Sequence, residues 1–382
     1  MFVAVRMIIN AGETPTRRNG FNRSAGLRQS VAGLKIGDVT QSTAQPAPHK
    51  LVPVAVVGCG RMGRLHARVY SQMPGVKLVG VYDAHHETAD EVAQEFGCGS
   101  FHNLRDLLPQ VAAASVAVPT KFHHDLAEPF LRRGVACLIE KPLAKDVFDA
   151  RKIVEASHRY TAIVQVGHIE RFNPAIRAMQ RLAIQPRFIE VVRISPLTFR
   201  SIDVGVVLDM MIHDIDIVLR LANSEVESID AVGVSVIGDV EDICNARIKF
   251  ANGCVANLTA SRLALKTERK LRVFSSDAYV SLDYQKKVGL LARRSGNVDA
   301  IRDAVKKIRS GEIEDVSQLD FADLVTVEEL QIDDIEPLRA ELESFVCAVR
   351  DKTKPHVTAE EGLQAVEVAS RIVEAVAGQK LA

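Results

Sequence analysis

The stretch Val54-Ala-Val-Val-Gly58-Cys-Gly60-Arg-Met-Gly63 carries the clearest structural signal in the chain. An apolar run from Leu51 stops at three glycines with G-x-G-x-x-G spacing, and a helix-like segment follows at once, which is typical of a dinucleotide-binding loop. Gly58 permits a tight turn, Gly60 lets the backbone approach a pyrophosphate, and Gly63 lets the helix pack on the strand. The helix start offers free N–H groups to the phosphates. The alternative is a glycine turn that binds no nucleotide.

Two neighbouring features extend this interpretation. Arg61 and Met62 lie inside the loop and are predicted to contact the cofactor with it. A second apolar strand ends at Asp83, 25 residues after Gly58, close to the roughly 20-residue spacing of the carboxylate that binds the adenosine ribose. No Arg or Lys follows Asp83 within ten residues to hold a 2′-phosphate, so the pattern favours NAD over NADP. An Asp that merely ends a strand is the alternative.

The composition limits the class of protein. The chain has 382 residues, enough for two domains, and its 48 basic residues equal its 48 acidic ones. No overall charge therefore points to nucleic acid or a membrane surface as a partner. No run of 18 apolar residues is present, so no membrane span is expected. Six scattered cysteines without a C-x-x-C pair predict neither a metal site nor disulfides, and they fit reduced thiols in the cytoplasm.

The first 50 residues differ from the rest. They hold seven Lys or Arg but two Asp or Glu, and residues 10–50 are rich in small and polar residues without a sustained period. This composition predicts a disordered extension, or a start codon assigned too early. An Arg-rich, acid-poor start also resembles an organelle transit peptide.

Segments after Leu51 predict two kinds of sheet. Strand-like and helix-like segments alternate to about Gly167, which indicates a doubly wound parallel sheet in a Rossmann domain over residues 51–170. Consecutive strands with short turns then predict an antiparallel sheet in a second domain over residues 171–382. The predicted strands are 52–57, 77–82, 114–118, 135–139, 162–166, 188–194, 228–237, 243–250, 253–261, 270–275 and 278–283. The predicted helices are 61–72, 87–96, 103–108, 122–133, 146–159, 174–183, 204–222, 337–350 and 359–376, and the stretch 290–335 is polar and less regular.

Polar motifs end two of the parallel strands. Val118-Pro119-Thr120-Lys-Phe-His123 follows one strand, and Glu140-Lys141-Pro142 follows the next. The carboxyl ends of such strands form the edge where open α/β sheets bind ligands. Beside an oxidised nicotinamide ring the pKa of Lys141 would fall, so Lys141 could take or relay a substrate proton. The alternative is a solvated lysine paired with Glu140.

Asp209 and His213 lie one turn apart in the predicted helix 204–222. The i, i+4 spacing places both on one face, and Asp216 continues that face. An Asp–His pair can set the histidine's tautomer and stabilise its protonated form, which suits a general acid or base. A core histidine is the alternative, and a metal site lacks a third local ligand.

The segment Gly167-His168-Ile-Glu-Arg171-Phe-Asn173-Pro174 joins the two halves. Its polar residues His168, Arg171 and Asn173 are placed to reach a substrate in the cleft between the halves. The alternative is a hinge in which Pro174 starts a helix.

These motifs, in this order and spacing, resemble the glucose–fructose oxidoreductase / inositol dehydrogenase (Gfo/Idh/MocA) family. The resemblance runs from Leu51 to Ala377, including the tail segments 336–345 and 354–362. It implies a Rossmann domain followed by an α/β domain with an open-faced, mainly antiparallel sheet, and such sheets often pair in homodimers or homotetramers. It also implies a cis peptide bond before Pro142.

The resemblance assigns site residues as follows. The implied catalytic residues are Lys141, Asp209 and His213. The implied cofactor-binding residues are Gly58, Gly60, Arg61, Met62, Gly63, Asp83, Pro119, Thr120, His123, Glu140 and Lys141. The implied substrate-binding residues are Lys141, His168, Arg171, Asn173 and His213. No metal is implied.

The resemblance implies hydride transfer between NAD and a secondary alcohol of a sugar or cyclitol. Residues 165–175 look most like the branch that acts on sugar nucleotides, so the expected substrate is UDP-N-acetylglucosamine, oxidised at its 3-hydroxyl. Inositol, a free sugar or UDP-N-acetylglucosaminuronate are alternatives, and Arg171 or Arg200 could pair with the uronate carboxylate. A non-catalytic NAD(H) sensor is a further alternative, but it would not need Lys141, Asp209 and His213.

Overall fold

A computed structural model describes residues 51–198, 203–295, 298–312 and 325–379. The predicted N-terminal extension and Arg200 lie outside these residues. Within them the chain forms two β-sheets with helices packed on them.

The first sheet has six parallel strands in the order β3-β2-β1-β4-β5-β6. This is the doubly wound order in which a dinucleotide binds where the strand order reverses, between β1 and β4. The strands are β1 Val52–Val57, β2 Val76–Tyr82, β3 Gly99–Phe101, β4 Ala113–Val116, β5 Ala136–Glu140 and β6 Val164–Gly167. The helices are α1 Arg61–Ser71, α2 His86–Phe96, α3 Leu104–Leu107, α4 His123–Leu131 and α5 Val147–Arg159.

Burial explains why these strands could be predicted. β1, β4 and β5 are buried along almost their whole length, and strands covered on both faces are nearly continuous apolar runs. β3 was not predicted, because its three residues Gly-Ser-Phe carry no periodic signal and form a strand only by pairing with β2.

The second sheet has eight strands in the order β14-β13-β12-β11-β7-β10-β9-β8. Every neighbouring pair is antiparallel except β7 and β10, which are parallel. The prediction of a mainly antiparallel sheet is therefore confirmed. The strands are β7 Phe188–Ile194, β8 Val226–Val234, β9 Ile243–Phe250, β10 Val255–Ser261, β11 Glu268–Phe274, β12 Ala278–Asp283, β13 Val288–Arg294 and β14 Val325–Glu329.

Two segments differ from the sequence prediction. The stretch 290–335 was expected to be irregular, but it holds most of β13, helix α8 (Val298–Ser310) and β14. β14 is fully exposed and its apolar alternation is limited to Val325 and Val327, so its pairing with β13 defines it. The helix expected over 204–222 is a π-helical turn at Val207–Met211 followed by α7 (Ile212–Ala222).

The last two helices return to the first sheet. Helix α9 (Pro337–Asp351) packs against α1, and α10 (Ala359–Ala377) packs against both α5 and α7. Thr358 caps α10 with Glu361 in a reciprocal capping box, and Thr358 also bridges to Gln165 on β6. The two C-terminal helices thus pack on helices that cover the N-terminal sheet. The division of the chain into two domains at residue 170 stays a prediction. Helix α6 (Pro174–Gln180) links the two sheets.

None of the helices in the described part of the chain combines the length and apolar character that a membrane crossing requires.

Candidate active site

The glycine loop closes tightly at two glycines and stays open at the third. Gly58 has φ of 95°, and a Cβ there would lie 2.6 Å from the Ala117 carbonyl oxygen. A Cβ on Gly63 would lie 1.7 Å from the Gly58 carbonyl oxygen. A Cβ on Gly60 would meet no atom within 4 Å. The loop therefore presents open space beside Gly60, where a phosphate can approach the backbone.

The N-terminus of α1 is available to that phosphate. Gly60 is the N-cap and no side chain caps the helix. The first backbone N–H groups can therefore donate hydrogen bonds to an anion. Arg61 and Met62 form the first turn beside it. Asp83 accepts hydrogen bonds from the Cys59 N–H at 2.7 Å and the His85 N–H at 2.8 Å. These two bonds hold the carboxylate next to the loop, where the ribose of a dinucleotide is expected.

His123 links two of the loops at this edge. Its buried ring lies between the Val118 carbonyl, 3.0 Å from Nε2, and the Pro142 carbonyl, 3.0 Å from Nδ1. Burial lowers the pKa of His123, and a neutral imidazole donates one hydrogen bond. The ring packs between the loops that follow β4 and β5 and holds them together, with one of the two carbonyls accepting its hydrogen bond. Pro119 and Thr120 begin the short turn that leads from β4 to α4. Their contact with the cofactor stays a prediction.

Lys141 reaches towards Asp209. The peptide bond to Pro142 is cis, as the resemblance implies. The ammonium donates to the Asp209 backbone carbonyl at 2.6 Å and lies 3.4 Å from its Oδ1. The alternative pairing of Lys141 with Glu140 is not what the structure shows, because Glu140 turns inward to within 3.0 Å of His66 Nε2.

Asp209 contacts Lys141, and its role in orienting His213 stays a prediction. Asp209 lies in the π-helical turn and His213 in the α-helix after it, so the two residues are not in one continuous α-helix. Among the described residues, His213 Nδ1 has no hydrogen-bond partner. Burial lowers the pKa of His213 well below its ordinary value, and the charges of Lys141 and Arg193 lower it further.

The three residues expected to reach the substrate have different surroundings. His168 is buried against His213, with 6.4 Å between ring centroids in an edge-to-face contact. Arg171 is buried and donates to both Asp216 oxygens, at 2.6 and 2.7 Å. Its guanidinium therefore does not face the cleft as a free cation. Asn173 caps α6 through Oδ1, and its amide nitrogen donates to Glu170.

One buried ion-pair network was missed by the sequence analysis. Arg193 on β7 donates to both Asp214 oxygens at 2.8 Å and to Glu170 at 3.0 Å. The network ties the first turn of α7, which carries His213, to β7. A signal existed in the sequence, since Arg193 alternates with Ile189 and Val191 on the inward face of the strand.

The geometry and the fold together define a class of protein. The dinucleotide loop, Lys141 and the His213 helix lie at the carboxyl edge of a Rossmann sheet that is followed by a second, mainly antiparallel sheet. A family model described as an oxidoreductase family with an NAD-binding Rossmann fold matches residues 52–168. The model of the Gfo/Idh/MocA C-terminal domain matches residues 196–281. The protein is thus an NAD-binding oxidoreductase.

Known relatives agree with this class. UDP-N-acetylglucosamine 3-dehydrogenase from Acidithiobacillus ferrooxidans is 38% identical over 230 residues, 60% of this chain and 73% of the relative. A solved structure of that enzyme, from the same organism, has a TM-score of 0.76 at 32% identity and covers 85% of this chain and 97% of its own. Inositol 2-dehydrogenase from Rhizobium meliloti is 28% identical over 256 residues, 63% of this chain and 78% of the relative. The chain belongs to the Gfo/Idh/MocA family of dehydrogenases.

Proposed function

We propose that the protein oxidises the 3-hydroxyl of UDP-N-acetylglucosamine with NAD. The observation that carries a dehydrogenase reaction is the position of Lys141, which reaches Asp209 at the same sheet edge as the glycine loop. The choice of substrate is supported by the relative of that name, at 38% identity. The product, a 3-keto sugar nucleotide, would suit amination towards lipid A in the cytoplasm.

The side chains around the cleft fit the proton transfer. When bound, NAD supplies the hydride acceptor. The lowered pKa of His213 makes its imidazole neutral at neutral pH, so it can accept the hydroxyl proton. The Lys141 ammonium can stabilise the developing oxyanion. Asp209 holds the ammonium in place. Transfer of the O–H proton to His213 would leave an alkoxide whose electron pair forms the ketone, and NAD, when bound, would take up the C–H hydrogen with its electron pair.

Two other substrate classes remain as competitors. The 28% identity to an inositol 2-dehydrogenase favours testing cyclitols. A uronate substrate needs a cation for its carboxylate, but Arg171 is occupied by Asp216 and Arg200 lies outside the described residues. The structure therefore offers no specific support for the uronate.

The test is NADH formation on mixing the purified full-length protein with NAD and UDP-N-acetylglucosamine. Myo-inositol, glucose and UDP-N-acetylglucosaminuronate are assayed under identical conditions. We expect the highest kcat/KM with UDP-N-acetylglucosamine. A higher value with another member of the panel would replace the substrate assignment, and tight NADH binding without turnover of any polyol would point to a sensor.

The catalytic assignment is tested in the same assay. Lys141→Ala and His213→Ala should each lose about 100- to 10,000-fold in kcat, the range typical of a proton-transfer group. Lys77→Ala is the matched control, because Lys77 is an exposed lysine on β2. Wild-type rates in either active-site variant would remove that residue from the mechanism.

A further inference from the structure

Three ionisable side chains meet behind the strand that carries Lys141. They are His66 on α1, Glu140 at the end of β5 and Glu341 on α9. His66 and Glu341 are fully buried, and Glu140 is 9% exposed. One nitrogen or oxygen from each lies within 4.8 Å of those of the other two. Both carboxylate oxygens of Glu341 are buried without a hydrogen-bond partner among the described residues.

The elements packed around Glu341 offer little compensating charge. The titratable groups that face it are His66 and Tyr70 from α1 and Glu140 from β5. Tyr70 is hydrogen-bonded to Ser115, and Gln165 on β6 donates to the backbone carbonyl of Glu341 rather than to its carboxylate.

The short turn at Ile169–Phe172 also packs on α9. Its two charged residues are occupied elsewhere, since Glu170 pairs with Arg193 and Arg171 pairs with Asp216. In the described structure, His66 is therefore the one basic side chain that meets both carboxylates, while the charge of Lys141 also acts on Glu140.

Two buried carboxylates this close are not both ionised, because like charges that share a site raise the pKa of one of them. Burial, followed by the charge of Glu140, raises the pKa of Glu341 well above its ordinary value. Burial alone would raise the pKa of Glu140 as well, but His66 and Lys141 hold it below its ordinary value. The two shifts place the negative charge on Glu140 and a proton on Glu341.

We propose that Glu341 is a neutral carboxylic acid at neutral pH, that its proton is shared with the Glu140 carboxylate, and that this pair positions Lys141. The Glu140 carboxylate then lies 3.0 Å from His66 Nε2 on one side and accepts from Glu341 on the other. The Glu140 carboxylate is tightly packed, because a Cβ on Gly167 would lie 3.1 Å from it. Glu341 is a positioning residue, and only this positioning role rests on the proposed function.

A bound cation would neutralise the same charges but fits less well. A structural metal site usually brings four donors to about 2.0–2.2 Å from one centre. Three donor groups meet here within the described chain, and two of them, His66 Nε2 and Glu140 Oε1, are already in direct contact at 3.0 Å. A proton satisfies the pair without a further component.

The protonation state is tested by infrared difference spectroscopy of the full chain at pH 7.5. Wild type minus Glu341→Gln should show the C=O stretch of a protonated carboxylic acid. Wild type minus Glu343→Gln should not, because Glu343 is exposed on the same helix. Absence of the band, or a stoichiometric metal ion in the purified protein, would overturn the proposal.

Unfolding in urea at several pH values is a second readout that needs no substrate. An acid with a raised pKa in the folded state binds its proton more tightly than the unfolded chain does. Wild-type stability should therefore fall as the pH rises from the ordinary range of Glu towards the raised pKa of Glu341. Glu341→Gln should lack this fall, and an identical pH profile in both proteins would contradict the proposal.

The positioning role is tested by comparing Glu341→Gln with Glu341→Leu. The amide can replace the O–H donor, whereas leucine removes it. We expect faster amide hydrogen exchange at residues 138–143 in the leucine variant and near wild-type exchange in the glutamine variant. With the substrate found in the panel, kcat should fall about tenfold or more in the leucine variant, with KM for NAD little changed.

Unchanged exchange in Glu341→Leu would refute positioning while leaving the shared proton in place. A failure of the proposed function would instead appear as no turnover of UDP-N-acetylglucosamine, with the infrared band and the hydrogen-exchange difference intact. The two failures are therefore distinguishable.

Discussion

At the scale of single residues, the three loop glycines have different physical requirements. Gly63 has no room for a Cβ because the Gly58 carbonyl lies in its way, and Gly58 has both a positive φ and the Ala117 carbonyl close to its Cα. Gly60 has neither constraint, since its φ is −65° and the space beside it is open. The requirement for glycine at position 60 therefore comes from the ligand and not from the fold.

This difference predicts opposite behaviour for two similar variants. Gly60→Ala should keep the wild-type melting temperature but bind NADH at least about tenfold more weakly, because the methyl group enters the phosphate space. Gly63→Ala should lower the melting temperature, since the loop must open to admit the methyl group. Calorimetry and NADH fluorescence titration measure the two effects. Unchanged NADH binding in Gly60→Ala would mean that the pyrophosphate does not lie there.

At the scale of elements, buried ion pairs hold the helix that carries His213. Arg193 and Asp214 tie the start of α7 to β7, and Arg171 and Asp216 tie it to the turn after β6. Both pairs make two parallel hydrogen bonds, the strong geometry for arginine and a carboxylate. The position of His213 therefore depends on charges that do not themselves face the cleft.

Breaking one of these pairs should be far more damaging than breaking an exposed one. Asp216→Ala leaves the buried Arg171 guanidinium without its main partner, and we expect a loss of about 3–5 kcal/mol in the free energy of unfolding. The matched control is Arg151→Ala, whose pair with Glu367 is exposed and should contribute less than about 1 kcal/mol. Urea unfolding of both variants measures the difference, and similar losses would show that burial is not decisive here.

At the scale of the whole molecule, the second sheet has one covered and one uncovered face. Helix α10 packs on the inward side of β8, where a Cβ on Gly233 would touch Val376. Val232 and Val234 point to the opposite face and are 60% and 44% exposed. Because directly paired residues share a face, the strand registers place Val327 of β14 on that same side.

A sheet face that no helix covers can pair with the same face of a second copy, so we expect the protein to form homodimers or homotetramers through this face. Light scattering after size exclusion should give a mass of two or four chains. Val232→Lys combined with Val234→Lys should shift the protein towards the monomer. Phe148→Lys, on an exposed residue of α5, is the control and should not. A monomeric wild type would refute the prediction.

Local amino-acid patterns predict the Rossmann sheet, the glycine loop and most helix and strand positions. Buried parallel strands are nearly continuous apolar runs and amphipathic helices have a periodic pattern, while the glycine spacing reflects the close contact of Gly63 with the Gly58 carbonyl. Local patterns did not predict the short strands β3 and β14 or the seven-residue β13, which form by pairing with neighbouring strands. They also predicted one continuous helix over 204–222, where the chain forms a π-helical turn before the α-helix.

The partners of the charged groups follow from long-range packing and not from local sequence. That packing paired Lys141 with Asp209 and Arg171 with Asp216, and it brought Glu341 to Glu140 from a helix 200 residues further along the chain. A hint of that last contact was present in the sequence, where Glu341 interrupts the apolar stripe of Leu338, Leu342 and Phe345. The pattern shows that a charge is buried, but long-range packing determines which charge meets it and therefore where the proton resides.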